Sequence, residues 1–208
     1  MEDTLEIYQQ PYDPKHPVVC MDESSKQQIQ EVRKPFAAKT GQPERYDTEY
    51  ERHGVSNLFI FFDPLAGWRR VEVTDQRTAT DWAVQVQKLV DQDHPHAEKI
   101  TLVMDNLNTH VGASLYKAFP PEEARRILDK LAIHYTPKHG SWLNMAEIEL
   151  SILSRQCLDR RIPDQKTLKA EVKAWTKKRN QHSSPMQWRF TTEDARIKLE
   201  RLYPKINL

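Results

Sequence analysis

The chain has 208 residues, of which 38% are hydrophobic and 29% charged. These are the proportions of a folded domain, or at most two, and not of a disordered chain. The longest apolar run, Leu58 to Phe62, is far short of the roughly 18 residues of a membrane span. The acidic start MEDTLEIYQQPYD is not a secretory leader. Two cysteines, Cys20 and Cys157, cannot form a disulfide framework, so a reducing cytoplasm is the expected compartment. The net charge of +1 conceals an asymmetry. Residues 1–150 carry 17 Lys and Arg against 24 Asp and Glu, a balance of −7, whereas residues 151–208 carry 14 against 6, a balance of +8. An acidic body with a basic tail suits a carboxylate site beside a polyanion-binding surface, and equally two ordinary solvated faces.

Pro11, Pro14 and Pro17 make residues 1–16 an extended lead-in. Residues 17–21 read as a short buried strand ending at Asp22-Glu23-Ser24. Residues 33–57, polar and interrupted by Gly41, Pro43 and Gly54, read as a long loop or insertion. Leu58–Phe62 and the alternating Trp68–Val73 form a hairpin-like pair of strands. Thr80 caps a helix to about Val90, and Lys99–Met104 is the next strand, running directly into Asp105. Pro120-Pro121-Glu122-Glu123 opens a helix, with acids near the positive end of its dipole. It is followed by the short strand Ile133–Tyr135. Further helices are predicted over about Asn144–Leu158, from Pro163-Asp164 to about Asn180, and after Thr191-Thr-Glu-Asp194, which resembles a capping box. The order predicts an α/β fold with a mixed sheet flanked by helices and a basic helical C-terminal tail. The domains expected are a lead-in (1–16), a catalytic domain (17–160) and a basic helical extension (161–208).

There is no Gly-rich phosphate loop, no His-x-x-x-His, no Cys-x-x-Cys and no Gly-x-Ser-x-Gly. Three acids stand out by position. Asp22 and Asp105 each follow an apolar strand, and Glu147 lies near the start of a helix. Each alone has a structural reading, as a cap, a turn residue or a helix-surface charge. Together they can converge, and three carboxylates at one point need cations. Mg²⁺ or Mn²⁺ prefer such oxygen ligands, and two ions can stabilise both oxygens of an in-line phosphoryl displacement. Glu149 rivals Glu147, but it is about 200° away on the helix. Glu147 shares its face with Asn144, Ser151 and Ser154, which favours it. His110 either bonds a metal ligand or phosphate, or caps the next helix. Trp142 either stacks on DNA or fills the core. Basic groups that would contact phosphates without reading sequence are Lys138, Arg155, Arg160 and Arg161, with Lys177, Lys178 and Arg179 beyond them.

Val19-Cys-Met-Asp-Glu-Ser24, Leu102-Val-Met-Asp-Asn-Leu-Asn-Thr-His110 and Tyr135-Thr-Pro-Lys-His-Gly-Ser-Trp-Leu-Asn-Met-Ala-Glu147 resemble the three catalytic blocks of bacterial insertion-sequence transposases in the mariner superfamily. The resemblance implies a ribonuclease H-like fold and a triad, Asp22, Asp105 and Glu147, that binds two Mg²⁺ (or Mn²⁺) ions. His110 and Asn144 are accessory. It further implies Mg-dependent DNA cleavage and strand transfer, transposon ends and target DNA as partners, and a homodimer. Where relatives often read Asn-Pro-x-Glu, this chain has Asn144-Met-Ala-Glu147. Relatives usually carry helix-turn-helix domains ahead of the first strand, so the chain is expected to be a catalytic domain without them, with weak end recognition. Two alternatives stay open: a non-catalytic DNA-binding or assembly protein, and a nuclease that cuts without joining.

Overall fold

The computed structural model describes residues 1–33, 36–45, 47–107, 109–138, 140–182 and 185–203. Five strands form one sheet: β1 (Val18–Glu31), β2 (Tyr50–Asp63), β3 (Trp68–Thr74), β4 (Ile100–Met104) and β5 (Leu131–Tyr135). Their order is β3-β2-β1-β4-β5. The first three pair antiparallel, β4 runs parallel to β1, and β5 runs parallel to β4. The mixed sheet and its flanking helices are those expected from the sequence.

Alternation along the strands assigns each residue to a face. Val19, Met21, Phe59, Phe61, Leu102 and Met104 point to one face. They pack against α2 (Ala79–Lys88), α3 (Ala113–Ala118) and α4 (Pro121–Asp129), which supply Trp82, Val86, Leu115 and Ile127. Val18, Cys20, Ile60, Phe62 and Val103 point to the other face, against Met145 and Ala146 of α5 (Met145–Leu153). Leu58 and Val73, further out on that face, meet Leu168, Val172 and Trp175 of α6 (Gln165–Gln181). Each large apolar side chain fully buried in this way contributes about 1.5–3 kcal/mol.

The helix before β4 is capped by Thr78, not Thr80. Thr78 and Asp81 form a reciprocal capping box, and the helix extends through a π-type turn at Leu89–Asp93. α5 likewise runs into a π-type turn, Ser154–Leu158. Asp164 caps α6, and Thr191 with Asp194 caps α7 (Thr192–Lys198), as their sequences predict. α3 was not anticipated. α6 is no loose tail: its apolar face lies on the sheet. Asn180 near its end accepts the Arg69 N–H (3.0 Å) and donates to the Arg69 carbonyl (2.7 Å).

Two expectations are corrected. Residues 1–16 are not an extended lead-in, because Glu2–Tyr8 forms a helix, α1. Leu5 is wholly buried against Leu143 and Ala195, and the Tyr8 hydroxyl donates to the Leu143 carbonyl at 2.8 Å. Tertiary burial stabilises a helix too short to stand alone, and the prolines only end it. The span 33–57 is not wholly loop either. β1 and β2 run out as a polar two-stranded ribbon to Glu31 and Tyr50, and isolated bridges at Phe36–Arg45 and Lys39–Gln42 continue it towards Gly41, whose φ is +77°. The ladder pairs the backbone there without burying apolar side chains, so hydrophobic alternation is absent from the sequence.

Asp63, at the end of β2, is almost fully buried. Its Oδ1 accepts the Ala66 N–H at 2.9 Å, whereas its Oδ2 has no partner. Burial raises its carboxyl to about 6, against the N–H groups of Ala66 and Leu65, which lower it. A carboxyl raised above its unfolded value destabilises the fold once it ionises, so the cost is full above about pH 6 and fades as pH falls towards 4. Asp63→Asn is therefore expected to stabilise the protein by about 2–3 kcal/mol at pH 7.5. That gain should shrink steadily by pH 4.5, as read from urea unfolding at the two pH values.

Candidate active site

β1 and β4 place the first two acids. Their parallel register pairs Val18 with Thr101, Val19 with Leu102 and Cys20 with Val103. Asp22 lies two residues past Cys20 and Asp105 two past Val103; Asp105 follows the last residue of β4, whereas Asp22 is inside β1, which runs on to Glu31 instead of ending at Asp22 as the sequence suggests, because its outer half pairs with β2. By alternation both acids share the face of Cys20 and Val103, the face covered by α5. Glu147 is in the first turn of that helix. Asn144 caps α5, its side chain accepting the Ala146 N–H (3.1 Å), while its Nδ2 donates to the Met21 carbonyl (2.8 Å). One amide thus starts the helix and ties it to the strand residue just before Asp22.

Burial and neighbouring charges act on Asp22. Burial, followed by the charges of Asp105, Glu147 and Glu23, pushes the Asp22 carboxyl up to about 7, against the Glu23 N–H that it accepts at 2.7 Å. Asp105 accepts a hydrogen bond on Oδ1 from His110 Nδ1 at 2.8 Å. Among the described residues, no three His, Cys, Asp or Glu side chains stand close enough, as placed, to enclose a metal ion. The donor set nevertheless suits a hard dication, being all carboxylate, half-buried and mutually repulsive.

Glu23 adjoins Asp22 in the sequence as a competing acid, and because β1 continues past it, strand alternation turns it away from Asp22. It points to the opposite face from Asp22, where its Oε2 lies 3.3 Å from His110 Nε2 and its Oε1 pairs with Arg77 at 3.2 Å. His110 is wholly buried, stacks on Trp82 with ring centroids 6.0 Å apart, and has its carbonyl bonded by the Tyr135 hydroxyl (2.9 Å). Burial opposes its charge, but the bonds to Asp105 and Glu23 outweigh that and push its pKa up to about 9. His110 thus bonds Asp105 through one ring nitrogen and Glu23 through the other, and holds Asp105 from behind. The strand alternation of Asp22-Glu23 was the available signal; the partner of Glu23, 87 residues away, was not.

Glu149 has a different role. Its carboxylate is wholly buried and bonded to Arg69 (3.0 Å) and to Arg179 (2.8 and 3.3 Å). Arg69 is itself buried and also bonds Asn180. This network joins β3, α5 and α6, whereas Glu147, two residues earlier, is half-buried on the side of Asp22.

The basic candidates are dispersed. Lys138 is exposed in the segment between β5 and α5. Arg155 and Arg160, with Trp175, Lys178 and Arg179, line a cleft of about 750 Å³ between the Ser154–Leu158 turn and α6. Arg160 pairs with Glu171. Arg161 lies apart from the acids, at the base of the β1–β2 ribbon, with its guanidinium on Glu31 and over the Tyr50 ring. Asn108 and His139, inside the second and third motifs, fall outside the described residues.

Residues 17–169 match the family described as DDE superfamily endonuclease. No curated protein matches the chain. Among solved structures, the Mos1 transposase paired-end complex with left transposon end is similar over 85% of this chain and 53% of that one, with a TM-score of 0.57 and 17% identity. The Mos1 mariner paired end complex with Mn gives 0.56 and 16% over 85% and 53%. The Mos1 Strand Transfer Complex gives 0.55 and 16% over 85% and 52%. At these identities the likeness is one of fold, and the chain spans about half the length of those proteins.

Removing the Glu149 carboxylate would leave two guanidinium groups, one wholly buried, without a counter-charge. Glu149→Ala is expected to cost about 3–5 kcal/mol, seen as a lowered urea midpoint. A midpoint equal to wild type would mean that the network contributes nothing.

Proposed function

We propose that this chain, which belongs to the DDE superfamily endonucleases, is the catalytic domain of a DNA transposase that cuts a DNA strand and transfers the resulting end to target DNA. The observation that carries this reading is the β1–β4 register. It supports bringing Asp22 and Asp105, each two residues beyond the paired Cys20 and Val103, to the face covered by α5, the helix that Asn144 holds and that carries Glu147 in its first turn.

Asp22, Asp105 and Glu147 are the residues that would hold divalent cations, two Mg²⁺ or Mn²⁺ ions. When bound, such ions supply Lewis-acid activation of the attacking oxygen and charge neutralisation at the leaving one. The chain's own contribution is positioning. His110, fixed against Trp82, orients Asp105. Asn144 fixes the start of α5 relative to β1. Lys138, Arg155 and Arg160 would bind phosphates and align the strand, with Arg161 engaged on Glu31. The strand is cut by in-line attack of water on phosphorus, which releases a 3′-hydroxyl. That hydroxyl then attacks a target phosphodiester by the same route, one P–O bond forming as another breaks.

The similar structures are a paired-end complex with the left transposon end, a paired end complex with Mn and a strand transfer complex. They support transposon ends and target DNA as substrates and a divalent ion as cofactor; a homodimer is what the family resemblance implies. The cysteines, both free and buried, fit a reducing cytoplasm. No helix among the described residues is long and apolar enough to cross a membrane.

Asp105→Asn should leave the fold intact and reduce Mn²⁺-dependent nicking of plasmid DNA to background, because it removes a ligand charge. A folded variant that nicks at the wild-type rate would refute the assignment. The neighbouring acids on α5 should separate cleanly. Glu147→Gln is expected to keep the melting temperature and lose nicking, whereas Glu149→Gln is expected to lower the melting temperature while the folded fraction still nicks. The reverse pattern would exchange the two roles. Supplying a pre-cut 3′-hydroxyl donor tests joining, and the absence of joined product would leave a nuclease that only cuts.

A further inference from the structure

We propose that Trp142 is a stacking platform for an unpaired base of the DNA strand held at the acid cluster. The inference rests on the DNA-cleaving reading of that cluster, and goes beyond it by naming the surface that reads the strand next to the scissile phosphate.

Trp142 lies in the 3₁₀ turn Ser141–Leu143, five residues before Glu147. The turn is fixed at several points. The Leu143 carbonyl accepts the Tyr8 hydroxyl at 2.8 Å, the Asn144 N–H donates to the Ser141 carbonyl at 2.7 Å, and Asn144 Nδ2 donates to the Met21 carbonyl at 2.8 Å. The backbone that carries the indole is therefore tied to β1 at Met21, the residue before Asp22, which is what positioning a substrate requires.

Its surroundings are those of a half-covered ring. The Trp188 ring lies 6.4 Å away at 28°, and Phe190 meets Trp142 edge-on at 6.0 Å. Trp188 in turn rests on Tyr8 at 5.4 Å. Leu143, the next residue, is wholly buried, yet 41% of Trp142 remains exposed. Three aromatic rings, Tyr8, Trp188 and Trp142, thus run to the surface at the turn that leads into α5 and Glu147, and the outermost can accept one more planar ring. Lys138, exposed four residues earlier, can take the adjoining phosphate. Bases inside a duplex have both faces covered, so the ring offered must belong to a single-stranded or splayed nucleotide.

Stacking on an aromatic side chain changes affinity by about 5- to 150-fold per base. The test uses the full chain, a duplex with a three-nucleotide 3′ overhang, the blunt duplex, and the overhang with abasic residues. Binding is read by fluorescence anisotropy, cutting in Mn²⁺, and folding by melting temperature. Trp142→Ala should weaken overhang binding by about 5- to 150-fold, leave blunt-duplex binding unchanged, and lose its difference from wild type on the abasic overhang. Trp142→Phe should recover most of the affinity. Equal binding by Trp142→Ala and wild type, in a wild-type protein that cuts DNA, would overturn the platform alone. Loss that is the same on abasic and normal overhangs, or that follows a fallen melting temperature, would make Trp142 structural and overturn it too. So would a wild-type dimer that Trp142→Ala dissociates without DNA present, since the ring would then be an interface. A wild-type protein that neither binds nor cuts any of the three DNAs would defeat the DNA reading itself, and the platform with it.

Discussion

The parallel pairing of β1 with β4 is the constraint on which the rest depends. Antiparallel strands could bring two acids level, but the chain would then leave in opposite directions from them. Here both strands run in one direction, and Asp22 and Asp105 each lie two residues beyond the paired Cys20 and Val103. In open α/β sheets, ligands bind at the carboxyl ends of strands. The third acid needs no strand at all. It needs only a helix whose first turn lies over the same end, which the Asn144 bond to Met21 provides.

Concentrating acids has an electrostatic cost, and the protein treats each acid differently. Glu149 is neutralised outright by two arginines in the interior. Asp105 is backed by His110, which Glu23 in turn steadies. Asp22 is left with burial and like charges about it. The uncompensated negative charge is thus confined to the face under α5. Along that helix, Glu147 and Glu149 are two residues apart and serve opposite ends: one remains available, the other locks β3, α5 and α6 into one body.

Much of this was legible in the sequence. The apolar runs before Asp22 and Asp105 marked β1 and β4, and helical spacing separated Glu147 from Glu149 by direction. What was not legible has a common cause, dependence on residues distant in the chain. α1 is a seven-residue helix that exists because Leu143 and Trp188 cover it. The outer halves of β1 and β2 are strands because they pair with each other, and their side chains are too polar to show a buried face. Nothing near Glu149 announces Arg69, 80 residues earlier, and nothing near His110 announces Glu23. The buried partner of a charge is a property of the fold, which one stretch of sequence does not carry.

One modest feature bears on how the molecule behaves among its neighbours. β3 pairs only with β2, so its other side would be an open margin of backbone donors and acceptors, the kind of margin on which a foreign chain can zip. Asn180 occupies that margin at Arg69, satisfying both its N–H and its carbonyl with a single carboxamide. A side chain here imitates a sixth strand one residue long, and removes the backbone groups of Arg69 from those on which a foreign strand could pair.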